Sequence, residues 1–257
     1  MKARRNRDQL VIVSKCSHPA PFAGERVSAA AIRQDIETSR KKLGTDFIDI
    51  YLLHRDDETA EVRPIVDAMN ELHDAGKIGA FGASNWTHTR IQEANDYAAS
   101  QGLIPFTVSS PNFSLAAQHA DPYAGSVTVS GPESVDARAL YREEQMSVIA
   151  WAGLAGGFLS GKLKSSDPEG GGKLLPFVYR KAFATPDNFE RLRRVEALAQ
   201  EKGASVSQIA LAWTLHHGLD VYNVVTAGTG TRMRQNIAAL HIDLTADEVA
   251  HLDLKES

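Results

Sequence analysis

The sequence predicts an α/β protein built on a parallel sheet, and three observations carry that expectation. Apolar strand-like runs alternate with helical patterns along the chain. One run, "FIDIYLL", is almost continuously apolar, as a strand covered on both faces must be. The segments between runs are long enough for right-handed parallel crossovers. These residues alone leave two architectures open, a (β/α) barrel or a doubly wound sheet. Six strands can be counted, whereas a closed barrel of this kind needs eight, although 257 residues is a typical barrel length.

The elements follow in order. Residues 1–9 read as the end of a helix, and residues 10–15 as the first strand. A helix over residues 28–43 has Ser28 as its cap, Ile32, Ile36 and Leu43 on one face, and Gly44 as its stop. The second strand covers residues 47–53. A helix from about 64 to 75 ends in Gly76, and "KIGAFGAS" is the third strand. A helix over 87–100 leads to "PFTVSS", and one over 133–145 leads to "MSVIAW". Two helices, 186–201 and 205–217, lead to "VYNVVTAG", and a last pair starts near Arg232 and Thr245. Two long stretches, 112–132 and 154–186, lie between; the second, with "SSDPEGGGK", reads as a mobile excursion. Residues 1–257 are expected to form a single domain.

Composition narrows the function. The net charge of −4 gives no electrostatic reason to expect nucleic acid or an anionic membrane as partner. A single cysteine, Cys16, cannot form an intrachain disulfide, which suits a reducing, cytoplasmic setting. No apolar run approaches the length of a membrane helix. The basic start (Lys2, Arg4, Arg5, Arg7) has no apolar segment behind it and is not a secretory signal.

Polar and aromatic side chains gather where the strands end, the place where barrel active sites lie. Lys15 ends the first strand, on the side shared by Val11 and Val13. His54 follows the second, in phase with Ile48, Ile50 and Leu52. It reads equally as a site residue or a structural histidine. Ser84 and Asn85 either bind a ligand amide or cap the following helix. Ser109 and Ser110 end the fourth strand. Trp151 ends the fifth and either stacks on a flat ring or plugs the sheet end. "GGFLSGKL" nearly matches a phosphate loop, but Leu163 stands where the magnesium-binding hydroxyl belongs and no helix follows. No G-x-G-x-x-G occurs. The histidines show no metal-ligand spacing, and Cys16 reads as a small buried thiol.

Taken together, "VIVSK", "DIETSRKKLGTDFIDIYLLHRDD", "GKIGAFGASNW", "NFSLA", "SVIAWAGLAGGFLSGKL" and "RQNIAAL" resemble the aldo/keto reductase family, in the family's order and over essentially the whole chain. The resemblance implies a (β/α)8 TIM barrel that binds NADP(H), with NAD(H) as the alternative, without a Rossmann domain. It implies reversible hydride transfer to a small carbonyl substrate, an aldehyde or ketone. By the same resemblance, Lys15 matches the lysine that lowers the pKa of a catalytic tyrosine, and His54 the histidine that orients the carbonyl. Ser84 and Asn85 match the pair that binds the nicotinamide carboxamide. Trp151 stands where a stacking tyrosine is usual, and Ser110 where a glutamine is common. Leu154 and Gly156 fall in the segment that meets the pyrophosphate. Arg232, Gln235 and Asn236 fall in the stretch that meets the 2′-phosphate and adenine; Gln235 replaces a common glutamate, and the stretch is short.

The family also has two strands ahead of "VIVSK", which carry an aspartate and the tyrosine that protonates the carbonyl. The sequence is therefore expected to be an N-terminally truncated barrel with about six of eight strands, apolar edges at residues 10–15 and 222–226, and His54 as the remaining acid. A catalytically inactive nucleotide-binding or regulatory protein, or a gene fragment, is the alternative.

Overall fold

The computed structural model describes residues 6–19 and 26–255. Lys2, Arg4 and Arg5 lie outside the described residues. The chain folds as two compact units, residues 1–110 and 111–257.

In the first unit, strands β1 (Val13–Cys16), β2 (Ile48–Leu53), β3 (Ile78–Ser84) and β4 (Val108–Ser110) are parallel neighbours in sequence order. Helices α1 (Ala29–Leu43), α2 (Val62–Asp74) and α3 (His88–Gln101) are the crossovers. Ser28 caps α1 by accepting from the Ala31 N–H, and Gly44, at φ 66°, ends it in the left-handed region. Ile32 and Ile36 are fully buried, but Leu43 is 38% exposed because the last turn of α1 leaves the core. Helix α2 begins at Val62, two residues before the expected Pro64. Proline is tolerated there because the first four N–H groups of a helix need no partner.

Two strands start later than their apolar runs. The Ile12 N–H donates to Asp49 Oδ2 at 2.8 Å, and Arg7 spans Asp49 (2.6 Å) and the Leu10 carbonyl (2.8 Å). Side chains thus take backbone groups that a strand over residues 10–12 would use. The expected terminal helix is a single 3-10 turn, Arg7–Gln9. Before β4, Asn95 of α3 clasps both backbone groups of Phe106 (2.8 and 3.1 Å), and Asn70 of α2 clasps those of Ile104 (2.9 and 3.1 Å). Beside β4, Gly82 lies against Val108, where a Cβ would sit inside the Val108 carbonyl. Only glycine permits this approach of β3 and β4.

In the second unit, α4 (Val135–Glu143) precedes β5 (Ser147–Ala150). Helices α5 (Pro168–Lys173), α6 (Phe177–Phe183), α7 (Pro186–Glu201) and α8 (Val206–His216) lead to β6 (Asp220–Asn223), followed by α9 (Gly230–Ala238) and α10 (Ala246–Leu252). Strands β5 and β6 are parallel, from Ser147 opposite Asp220 to Ala150 opposite Asn223. The sixth strand is shorter than "VYNVVTAG" because its partner offers only four residues. The helix expected from residue 133 opens as a 3-10 turn, Pro132–Ser134. The stretch 154–186 carries α5 and α6 in place of the expected mobile excursion. Asp167 caps α5 by accepting from the Gly170 N–H, with Pro168 at the first helical position. Asn112 pins the other long stretch: its N–H donates to the Val127 carbonyl, its carbonyl accepts from the Val129 N–H, and its amide reaches the Trp151 carbonyl at 3.3 Å. Among the described residues, no helix is long and apolar enough to cross a membrane.

Candidate active site

Strand alternation puts Lys15, Ser84 and Ser110 on one side of three strands of the first unit. Lys15 Nζ donates to Ser84 Oγ at 2.7 Å and to Ser110 Oγ at 3.2 Å. The Ser84 hydroxyl donates in turn to the Ser110 carbonyl at 2.8 Å and accepts from Asn85 Nδ2 at 3.0 Å. The same Asn85 amide reaches the His54 carbonyl at 3.4 Å. The Asn85 backbone sits at φ 59°, a costly left-handed conformation for a residue with a side chain. The structure therefore brings five of the expected residues together: Lys15, His54, Ser84, Asn85 and Ser110. Neither Ser84 nor Asn85 caps the next helix. Thr87 does, accepting from the Arg90 N–H at 3.2 Å.

Two shifted titrations define the electrostatics. Burial, helped by the Arg55 charge, lowers the Lys15 ammonium from 10.5 to about 8. The Lys15 partners above are hydroxyls, so no carboxylate offsets the desolvation of its charge. Burial also lowers His54 to about 4, with Lys15, His18 and Arg55 adding repulsion. The His18 ring meets His54 edge-on, 4.5 Å between centroids. At neutral pH the imidazole is uncharged and the amine mostly charged. Arg55 and His18 act on this site without having been singled out in the sequence; for Arg55 the only cue was its place beside His54.

In the second unit, Trp151 follows β5. Its carbonyl accepts from the Phe113 N–H at 3.3 Å, and its Nε1 is buried without a hydrogen-bond partner. Leu154 opens a tight turn whose Ala155, Gly156 and Gly157 all have positive φ. The face of Gly156 is taken by the Tyr179 ring, which a Cβ there would penetrate. The Tyr179 hydroxyl pairs with that of Tyr123 at 2.7 Å. No periodicity or motif marks this clasp in the sequence. Arg232, Gln235 and Asn236 lie on α9. The Arg232 N–H donates to the Thr229 cap, the Gln235 carbonyl accepts from Gln208 Nε2 at 3.2 Å, and Asn236 borders an apolar groove of about 250 Å³ with Met233, Ile237 and Leu240.

Parts of both units fit a nicotinamide dinucleotide. The buried hydroxyl and amide groups of Ser84, Asn85 and Ser110 suit a carboxamide, and the orphaned indole N–H of Trp151 awaits an acceptor. Among the described residues, no group of three or more His, Cys, Asp or Glu side chains is placed to hold a metal.

A parallel α/β fold with an amine, an imidazole and amide-binding groups at its strand ends is the arrangement of a carbonyl-handling enzyme. The aldo/keto reductase family profile matches residues 1–256, and the chain belongs to that family. A probable aryl-alcohol dehydrogenase of Saccharomyces cerevisiae is 26% identical over 98% of this chain, which spans 76% of that protein. L-glyceraldehyde 3-phosphate reductase of Escherichia coli O157:H7 is 25% identical over 96% of this chain and 70% of its own length. A putative voltage-gated potassium channel subunit beta of Schizosaccharomyces pombe is 25% identical over 87% of this chain; the chain spans only 63% of it.

Proposed function

We propose that the protein is a cytoplasmic oxidoreductase that reduces a small aldehyde or ketone to the alcohol with NADP(H), NAD(H) being the alternative cofactor. The observation that carries this reading is the strand-end cluster in which a buried amine, a neutral imidazole and an amide-binding pair meet. When bound, the nicotinamide supplies the hydride. Ser84, Asn85 and Ser110 hold its carboxamide.

The carbonyl oxygen needs a proton as its carbon is reduced. With His54 at about 4, the imidazolium form is too scarce at neutral pH to serve. The neutral ring instead donates an N–H hydrogen bond that orients the carbonyl and stabilises developing negative charge. The Lys15 ammonium, with its pKa near 8, gives up the proton and regains it from water. A general acid tuned close to the working pH contributes about 10²–10⁴ in rate.

For the second unit, we assign the Trp151 indole to stacking on a flat cofactor ring. Leu154 and Gly156 meet the pyrophosphate once the Tyr179 ring moves off Gly156. Arg232 meets the 2′-phosphate, and Gln235 and Asn236 the adenine.

The test is consumption of NADPH with an aromatic aldehyde and with glyceraldehyde 3-phosphate, chosen from the names of the relatives. Turnover that falls as pH rises through about 8 is expected. Absence of both NADPH binding and turnover would overturn the reading. The channel-subunit relative favours a second reading, nucleotide binding without chemistry, which predicts quenched protein fluorescence with NADPH and no consumption.

A further inference from the structure

Lys15 has the chemistry for more than holding a proton. Among the charged lysines, Lys77 sits 2.7 Å from Glu37, Lys202 2.8 Å from Glu248, and Lys255 2.8 Å from Asp253. Lys15 has two serine hydroxyls instead, at 2.7 and 3.2 Å, and is only partly buried, so a small reagent can reach it. A cation without a counter-ion is readily deprotonated, and the product is a nucleophilic amine fixed at the end of a rigid strand. We infer that Lys15 also captures small aldehydes covalently, its Nζ forming an imine with the carbonyl carbon. The inference rests on the reading that this site receives a carbonyl.

The step balances without any further reagent. The nitrogen lone pair adds to the carbonyl carbon as the C=O π pair moves to oxygen, and an N–H proton passes to that oxygen, giving a carbinolamine. The hydroxyl then leaves with the second N–H proton as water, and the C=N bond forms. No atom is oxidised or reduced. The Ser84 hydroxyl is committed to the Ser110 carbonyl. The Ser110 hydroxyl, 3.2 Å from Nζ, is the nearer candidate to relay these protons. Capture and reduction divide along pH: the ammonium serves reduction below about 8, and the free amine serves capture above it.

The experiment incubates the intact protein with propanal and cyanoborohydride, which adds hydride to an imine carbon and fixes it as a secondary amine. Peptide mapping by mass spectrometry then locates the adduct, which adds the mass of propanal less one oxygen atom. At pH 7.5 a lysine of pKa near 8 has about 200 times the free-amine fraction of an ordinary lysine. Labelling of Lys15 at least about tenfold faster than Lys77 or Lys202 is therefore expected, with a rate that rises through pH 8. Lys15→Met should lose this adduct and Lys77→Met should keep it. Should Lys15→Met not fold, as circular dichroism would report, the wild-type map alone decides. Labelling spread evenly over the lysines, or absent from Lys15, overturns the inference. NADPH consumption with propanal, measured separately, keeps the two readings apart: turnover without capture removes only the inference, and capture without turnover removes only the reductase.

Discussion

Lys15→Met should make the protein more stable at neutral pH. In the unfolded chain Lys15 titrates near 10.5; in the fold it titrates near 8. Between those values the unfolded state binds more protons, so stability rises with pH across the window and the full penalty applies below it. That penalty is about 3 kcal/mol at pH 7 and about 1 kcal/mol at pH 10. Methionine removes the charge but also the two bonds to Ser84 and Ser110, worth about 1 kcal/mol each. Ser84 keeps its bonds to the Ser110 carbonyl and to Asn85, so no buried hydroxyl there is orphaned. The net expectation is stabilisation by about 1 kcal/mol at pH 7 that reverses to about 1 kcal/mol of destabilisation at pH 10. Urea unfolding of both proteins at the two pH values measures it. A difference between variant and wild type that does not change with pH would refute the argument, because it would mean that the lysine is not desolvated.

Gly82→Ala drives a methyl into the Val108 carbonyl between two strands, and should cost about 3 kcal/mol or more in urea unfolding. Asn95→Leu leaves the buried N–H and carbonyl of Phe106 without partners; about 2–4 kcal/mol should be lost, with faster hydrogen exchange at Phe106. Gly156→Ala should expel the Tyr179 ring, break its bond to Tyr123 and speed proteolysis between residues 164 and 186, at about 1–2 kcal/mol for the left-handed alanine.

The alternation of apolar runs with amphipathic segments made the strands and the main helices legible, because burial sets that pattern. Lys15, Ser84 and Ser110 were legible as a cluster for a related reason: side chains at strand ends project to a side fixed by a two-residue period. Strand starts were not legible. Asp49, Asn70 and Asn95 reach across 34, 37 or 11 residues of chain to take backbone groups, and no periodicity records such a bond. The lowered values of Lys15 and His54 were hidden too, since they depend on burial and on Arg55 and His18 approaching in space. Tyr179 covers Gly156 from a helix 23 residues further on, inside a stretch whose glycines suggested no structure at all.

Cys16 adjoins Lys15 on the first strand, and burial pushes its thiol up to about 12 while its Sγ contacts the Leu52 carbonyl at 3.6 Å. Only 2% of the residue is exposed, so a thiol reagent meets it only when β1 lifts from β2. As the chain's single cysteine, it is a built-in reporter. Its labelling rate under native conditions, divided by that of the unfolded chain, gives the population of open strand directly. The strand that presents the reactive amine thus carries its own gauge of how often that amine is out of place.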